Sequence, residues 1–490
     1  MNNPKQRNAW TFIPTLYFAE GLPYILINTA SVILYKNMGV PNSDIAFWTS
    51  WLYLPWVIKM LWGPMVDTFG TRRGWIFWTQ MAMAGCLAAA ALSLAGSHFF
   101  AVSLIMFALG AFVSATHDIA ADGYYMLALT KEDQAFFVGI RSTFYRLAMI
   151  FGTGFLVFRA GQMQEAGRSA AASWGTMLFI SAVIFAVIAL YHRFVLPCPD
   201  EDFAKADADA KTILRSVGML ALYLVLAGLV IALFVSLKGV WAKLGVAAVL
   251  VTALILVWKK IISPRIQNGG MEEGSFNYVF AQYFSQERIG WVIAFILLYR
   301  LGEAVLGKMT SPFMLDPVSA GGLGLPTSQV GIIYGTIGIL GLVFGGILGG
   351  WLISRYGFRK CLWPMVIALN GPDLFYLYLA YVQPAVTPSV IFGFNIPNLF
   401  VSTLVFIEQF GYGVGFTAFT YYLMIICEGK YKTAHYAIST GIMALGMMIP
   451  GMLSGILQEA VGYRIFFLIV CLLTVPGMLV ILKLPMPAEK

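Results

Sequence analysis

Acidic and basic side chains lie inside long apolar stretches of this chain, where each is costly unless it faces a partner, protein or water. His117, Asp118 and Asp122 stand together, and the i, i+4 spacing puts the two carboxylates on one helix face, where they can share a proton. Arg141 and Arg146 follow, with Tyr145 beside them. Five residues apart on a helix, the two arginines cannot point the same way, so one at most pairs with that acidic face. Further along, Arg300 and Glu303 stand at i, i+3 with Lys308 beyond them, and Glu408 sits among Gly411, Gly413 and Gly415. Glu20 and Lys59 complete the set. The chemistry open to such groups is charge pairing, grip on an anionic ligand, and uptake and release of protons. Any one of them serves equally well as a structural ion pair, but so many in one chain favour a polar central cavity.

The elements that must carry these groups are membrane spans. The 490 residues are 59% hydrophobic and only 11% charged, with mean hydropathy +0.79, and a water-soluble core cannot hide that much apolar surface. Stretches of about 20 apolar residues fall at 10–35, 44–65, 75–95, 98–128, 136–158 and 172–197. Two more fall at 213–236 and 241–262, then six at 289–316, 328–353, 361–381, 398–427, 433–457 and 464–485. The expected class is therefore an all-α polytopic membrane protein with 14 spans: a bundle in 1–197, linkers and two extra spans in 198–288, and a second bundle in 289–490. Below, the twelve bundle spans are numbered in chain order and the extra two are left uncounted. With the N-terminus inside, roughly 20 of the 31 basic residues fall on the cytoplasmic side. The net charge of +8 thus reports topology and contact with anionic lipid head groups, not nucleic acid. Lys5 and Arg7 precede a long span without a small-residue cleavage site, as in a retained first helix.

A short signature occurs twice. Gly63-Pro-Met-Val-Asp67-Thr-Phe-Gly70-Thr-Arg72-Arg73 is matched about 287 positions later by Gly350-Trp-Leu-Ile-Ser354-Arg-Tyr-Gly357-Phe-Arg359-Lys360. Upstream, Val40-Pro-Asn-Ser-Asp-Ile45 is matched by Leu325-Pro-Thr-Ser-Gln-Val330. The order and spacing fit a duplicated bundle with parallel repeats, the architecture of major facilitator transporters. Gly63, Asp67, Arg72, Arg73 and Arg359 lie at helix ends and read as a conformational latch more than as ligand contacts. Cys86, Cys198, Cys361, Cys427 and Cys471 are scattered, without CxxC pairs or histidines at ligand spacing, so neither a metal nor a cofactor is expected. Gly341, Gly345, Gly346, Gly349 and Gly350 lack a following Gly-Lys-Ser/Thr and read as a helix-packing face, not a phosphate loop.

Glu20-Gly-Leu-Pro23, Lys59-Met-Leu-Trp-Gly-Pro64, Arg72-Arg-Gly-Trp75, His117-Asp118 with Asp122, Tyr145-Arg146-Leu147, Leu298-Tyr-Arg300-Leu-Gly-Glu303-Ala304 and Glu408 together resemble the AmpG-type muropeptide permeases and, more distantly, acetyl-coenzyme A transporters. The resemblance covers nearly the whole chain, including the two extra spans. It implies proton-driven import of anhydro-muropeptides, cell-wall sugar-peptide fragments, across the bacterial inner membrane by a non-enzyme, here expected as a monomer with both termini cytoplasmic. The chain departs from the family at His117, where Gln is commoner, and at Tyr124-Tyr125, where Trp-Lys is commoner. A sugar-peptide needs arginine forks for its carboxylates and aromatic faces for its rings. Arg146 and Arg300 suit the first task, Tyr124, Tyr125, Tyr145, Tyr421 and Tyr422 the second, with His117 beside them. Asp118, Asp122, Glu303, Glu408 and Glu20 are the proton-coupling candidates. The rival readings are a transporter of another anionic metabolite, an exporter, a non-transporting sensor, and a membrane-embedded transferase. The last is suggested by Asp118-xxx-Asp122 but lacks the upstream Asp-Gly-xx-Ala-Arg.

Overall fold

The computed structural model describes residues 8–59, 70–199, 276–384, 398–427 and 432–486, two short strands at 389–391 and 394–396, and isolated positions at 62, 66, 202, 233, 236, 237, 246 and 249. Among the described residues, nine helices are long and apolar enough to cross a membrane: Ala9–Asn37, Arg72–Ser93, Phe99–Ala128, Ala170–Val195, Ile289–Leu315, Thr327–Tyr356, Phe358–Val382, Leu399–Ile425 and His435–Ile481. The last is two helices joined at Gly462, whose φ of 74° breaks the helical path and separates the eleventh span from the twelfth. The second span is built from Asn42–Trp51 and Leu54–Ile58, and the fifth from Lys131–Ile150, Phe151–Leu156 and Val157–Glu165. The two extra spans expected at 213–236 and 241–262, most of the linker, and Gly63 and Asp67 of the expected latch lie outside the described residues.

Helix starts follow local sequence. Thr71, Thr130 and Ser169 each accept from the backbone N–H three residues on, which satisfies one of the donors a helix leaves open at its first turn. Large apolar side chains point outward as a membrane requires: Trp78, Leu92, Phe194 and Leu482 are each about 70% exposed or more in the isolated chain. Among the described residues, the only strands form an antiparallel ribbon, Ser389–Ile391 with Phe394–Ile396, between the ninth and tenth spans.

Among the described residues, most of the polar contacts that join the two halves gather at one end. Lys36 Nζ pairs with Asp316 Oδ1 at 2.5 Å and donates to Asn42 Oδ1 at 2.8 Å. Asn42 Nδ2 in turn reaches Gln458 Oε1 at 2.8 Å and Asp316 Oδ2 at 3.2 Å, while Tyr463 donates to Asp316 Oδ2 at 2.6 Å. Asn37 Oδ1 collects Trp174 Nε1, Thr327 Oγ1 and Gln164 Nε2 at 2.9, 3.1 and 3.2 Å. The Ser43 N–H donates to Glu459 Oε1 at 2.9 Å, and Ser328 donates to Glu165.

Backbones meet closely beneath this network because glycine leaves room for them. A Cβ on Gly161 of the fifth span would come within 2.6 Å of Ser328 Cα at the start of the eighth, and one on Gly455 of the eleventh within 2.8 Å of Ser43 Cα at the start of the second. Two helix crossings, fifth on eighth and second on eleventh, therefore close this end. Both the fifth and eighth spans carry a π-helical turn near their crossing, Phe151–Leu156 and Ile333–Gly338, of the kind that recurs at working sites.

A side chain at Gly161 should pry this seal apart. In a background whose five native cysteines are replaced by serine, Gly161→Val should speed labelling of a cysteine placed at Thr327 by a water-soluble thiol reagent. Equal labelling rates with and without the valine would contradict glycine-dependent closure.

Candidate functional site

Each half carries its own buried charge cluster. In the first, Asp118 on the fourth span accepts from Trp56 Nε1 at 3.0 Å and faces Lys59 Nζ at 3.6 Å, both through Oδ2. One turn on, Asp122 Oδ1 takes Arg141 Nη2 at 3.1 Å and the Tyr17 hydroxyl at 3.2 Å. The Arg141 guanidinium lies over the rings of Tyr17, at 4.6 Å, and Tyr125, at 5.2 Å, so the cation is held by an acid on one side and aromatic faces on the other. Of the two arginines that could have met the acidic face, Arg141 does so. Glu20 sits close by on the first span with Oε2 buried and unpartnered. Asp122 and Arg141 keep 43% and 32% of their side chains open, so this cluster borders accessible space.

His117 points away from these acids into the bundle. Its Nε2 meets Gln80 Nε2 at 3.0 Å, Gln80 Oε1 meets His192 Nδ1 at 3.0 Å, and His192 Nε2 meets Thr15 Oγ1 at 2.9 Å. His192, which its position near the end of a span marks as a loop-edge residue, is wholly buried in this chain of contacts across the first, third, fourth and sixth spans.

In the second half, Arg300 and Glu303 do not pair. Arg300 precedes the helix Leu301–Leu315, and its guanidinium bonds the Tyr412 hydroxyl and lies 4.7 Å from the Phe416 ring centroid. Glu303 turns instead to Asp373 of the ninth span and Glu408 of the tenth, and one carboxylate oxygen from each of the three falls within 4.8 Å of the others. Glu408 accepts from the Tyr376 hydroxyl at 3.2 Å and from Gln409 Nε2 at 3.1 Å, while Asp373 Oδ1 is buried without a partner. Two ionised carboxylates at that separation repel by at least about 3.5 kcal/mol at an effective dielectric constant of about 20. Three cannot stay charged together in the interior of a bundle without a compensating cation or proton.

Lys308 leaves its own half. Its ammonium donates to Thr49 Oγ1 at 3.0 Å and lies 5.0 Å from the Tyr53 ring centroid, both on the second span. Beside it, Ser50 Oγ is buried and unpartnered. Arg146 reaches toward the eighth and tenth spans: a Cβ on Gly346 would stand 3.8 Å from both Arg146 Nη2 and Thr417 Oγ1. Among the described residues, no carboxylate lies within ion-pairing distance of Arg146, Arg300 or Lys308. Rings crowd the same level, with Tyr24 packed against Trp56, Tyr53 and Tyr145 at 5.3, 6.2 and 6.3 Å.

The remaining candidates lie elsewhere. Tyr124 is fully buried and donates to the Pro197 carbonyl at 2.8 Å; Tyr422 is fully buried and donates to the Pro485 carbonyl at 3.1 Å. Tyr421 is 38% exposed and packs on Phe358, and Tyr125 bonds the Gln134 carbonyl while its ring supports Arg141. Of the latch residues that are described, Arg72 and Arg73 donate their backbone N–H groups to Asp202 at 2.7 and 3.0 Å, which places a carboxylate at a helix N-terminus. Arg73 also holds Cys198 Sγ at 3.1 Å and the Arg193 carbonyl, so its contacts stay with the first half and the segment after it. Arg359 sits at the start of the ninth span. Asp373, Thr49, Tyr53, Trp56 and Tyr412 escaped the reading of the sequence. Asp373 alone carries a signal, its charge inside the apolar stretch 361–381.

The chain is 23% identical to the anhydromuropeptide permease of Escherichia coli K12 over 475 residues, 95% of this chain and 78% of that protein. It is 22% identical to the putative transporter AmpG 4 of Rickettsia felis over 486 residues, 96% of this chain and 94% of that protein. In three dimensions it is similar to a variant of the nucleoside transporter NupG, with TM-score 0.61, 14% identity, and 98% of this chain and 100% of that one covered. It is also similar to the E. coli xylose transporter XylE in its inward open conformation, with TM-score 0.60, 13% identity, and 98% and 97% covered. No family model matches the chain. The fold is the major facilitator fold, and the chain is a multi-pass membrane transporter that resembles the AmpG-type permeases along almost its whole length.

The two clusters should respond differently to paired substitution. Lys59 and Asp118 face each other, so thermal unfolding of Lys59→Met, Asp118→Asn should show a favourable coupling of about 1–3 kcal/mol relative to the sum of the single changes. Arg300→Gln, Glu303→Gln should show a smaller coupling than the first pair, because those two charges feel each other without forming an ion pair. Strong coupling in the second pair would contradict the geometry.

Proposed function

We propose that this chain imports anhydro-muropeptides into the bacterial cytoplasm, across the inner membrane, by proton-coupled alternating access. The observation that carries the reading is the set of unmatched cations, Arg146, Arg300 and Lys308, held among aromatic rings where the two halves meet. A buried cation without an acid is costly, and an anionic ligand removes that cost. The rings supply flat faces for sugars, and the cations supply charged donors for peptide carboxylates. The relatives named as muropeptide permeases support the same substrate class.

On this reading the N-terminus is cytoplasmic by the distribution of basic residues, and the end closed by Lys36 and Asp316 is the periplasmic one. The first-half acids Asp118, Asp122 and Glu20 and the second-half acids Glu303 and Glu408 are the groups through which proton movement would couple to this closure. Another anionic metabolite of similar bulk is the second reading, favoured by the same unmatched cations. Neither reading calls for a resident cofactor.

Purified protein in vesicles should accumulate labelled anhydro-muropeptide under an inward proton gradient and lose the accumulation when a protonophore is added. Lys308→Met should raise the half-saturating concentration roughly tenfold to a hundredfold, the cost of one charged hydrogen bond. Uptake of acetyl-coenzyme A in preference to the sugar-peptide would overturn the substrate assignment, and gradient-independent flux would overturn the coupling.

A further inference from the structure

We infer that the coupling proton is held in the second half, on the triad Glu303, Asp373 and Glu408, and that Asp373 is a member of the coupling site. The inference rests on the proton-coupled reading above and names where in the chain the proton sits.

Three observations converge on it. Two of the three first-half acids are paired, Asp118 with Lys59 and Trp56 and Asp122 with Arg141 and Tyr17, and Glu20 shares the field of the same two cations although its Oε2 meets no donor. The triad acids of the second half are not paired, because the cations of the seventh span turn away, Arg300 to Tyr412 and Phe416, and Lys308 to Thr49 and Tyr53. Finally, Asp373 is only 2% exposed, and its Oδ1 meets no donor although its carboxylate reaches into the group.

The other groups facing the triad are Tyr334 from the eighth span, Tyr376 from the ninth, Gln409 and Tyr412 from the tenth, and Cys471 and Thr474 from the twelfth. None of them is a cation; among the described residues, the one cation whose charge is felt there is Arg300, which acts on Glu303 from the same span without forming an ion pair. Glu408 already accepts from two donors and Asp373 Oδ1 from none, and the O–H bond forms at a carboxylate oxygen of one of the three. A proton arriving from water on one side makes that bond and leaves to water on the other, with no electron transferred.

The site is placed between the seventh, ninth and tenth spans, next to the side chains of the seventh that reach the unmatched cations' level. Glu303 and Arg300 share that span, so a ligand drawn to Arg300 or Lys308 moves the helix that carries one corner of the triad. Proton binding and ligand binding are thereby joined through one rigid element.

Infrared difference spectra on a pH jump, taken on the full-length protein in lipid without any substrate, read protonated carboxyl groups directly. The wild type should show a protonated-carboxyl carbonyl band at neutral pH. The band should be lost or displaced in Asp373→Asn and in Glu303→Gln, and kept in Glu20→Gln and in Asp118→Asn. A wild type without the band, or a band lost only in Glu20→Gln or Asp118→Asn, would overturn the inference. So would displacement of the band by added sodium at constant pH, which would make the triad a metal-cation site. Because no substrate is present, failure of the muropeptide reading leaves this test intact. Should Asp373→Asn not fold, Glu303→Gln and the wild-type spectrum still decide.

Discussion

A charge in hydrocarbon must find a counter-charge, a ring of donors or water, and the cost of failing to do so organises the whole interior of this protein. Asp118 and Asp122 find Lys59 and Arg141, which makes the first half nearly self-sufficient. The second half leaves three carboxylates facing one another and sends its cations elsewhere. Charge is thus separated into an acidic pocket inside one bundle and a basic surface between the bundles. Separation of that kind is metastable. It suits the proposed exchange of an anionic cargo and a proton, and it would be a poor choice for a static scaffold.

Most of the architecture was legible in the sequence, because membrane spans announce themselves by length and hydropathy and because the repeated glycine-arginine signature marks a duplication. The described helices lie where the first six and last six spans were expected. The site was legible only in part. Spacing along one helix predicts which residues share a face, so Asp118 and Asp122 could be read together. It cannot say which face meets which neighbour, and Arg300 and Glu303 at i, i+3 looked like partners although their side chains diverge. Tyr124 and Tyr422 show the same limit: an aromatic residue in an apolar span reads alike whether its hydroxyl meets a ligand or caps a distant carbonyl, as both of these do. Asp373 joins two distant segments and has no local signature beyond its charge.

Closure at one end depends on a different kind of contact. Glycines in the fifth and eleventh spans let backbones touch across the halves, and Lys36, Asn37, Asn42, Asp316 and Tyr463 convert that proximity into a buried hydrogen-bond lattice. Such a lattice is held by many small terms, so modest differential binding of a cargo can shift it. Lys308 joins the two, since it is rooted in one half and bonded to the other.

The central claim, that cargo binding between the halves exchanges which end is closed, is tested most directly by distances between spin labels across the fifth and eighth spans. One pair would sit at the sealed end, at Arg168 and Val318, and one at the opposite end, at Asp133 and Arg355. Adding anhydro-muropeptide at mildly acidic pH should lengthen the first distance and shorten the second in the same sample. Distances that stay fixed, or that change together in one direction, would contradict alternating access about this site.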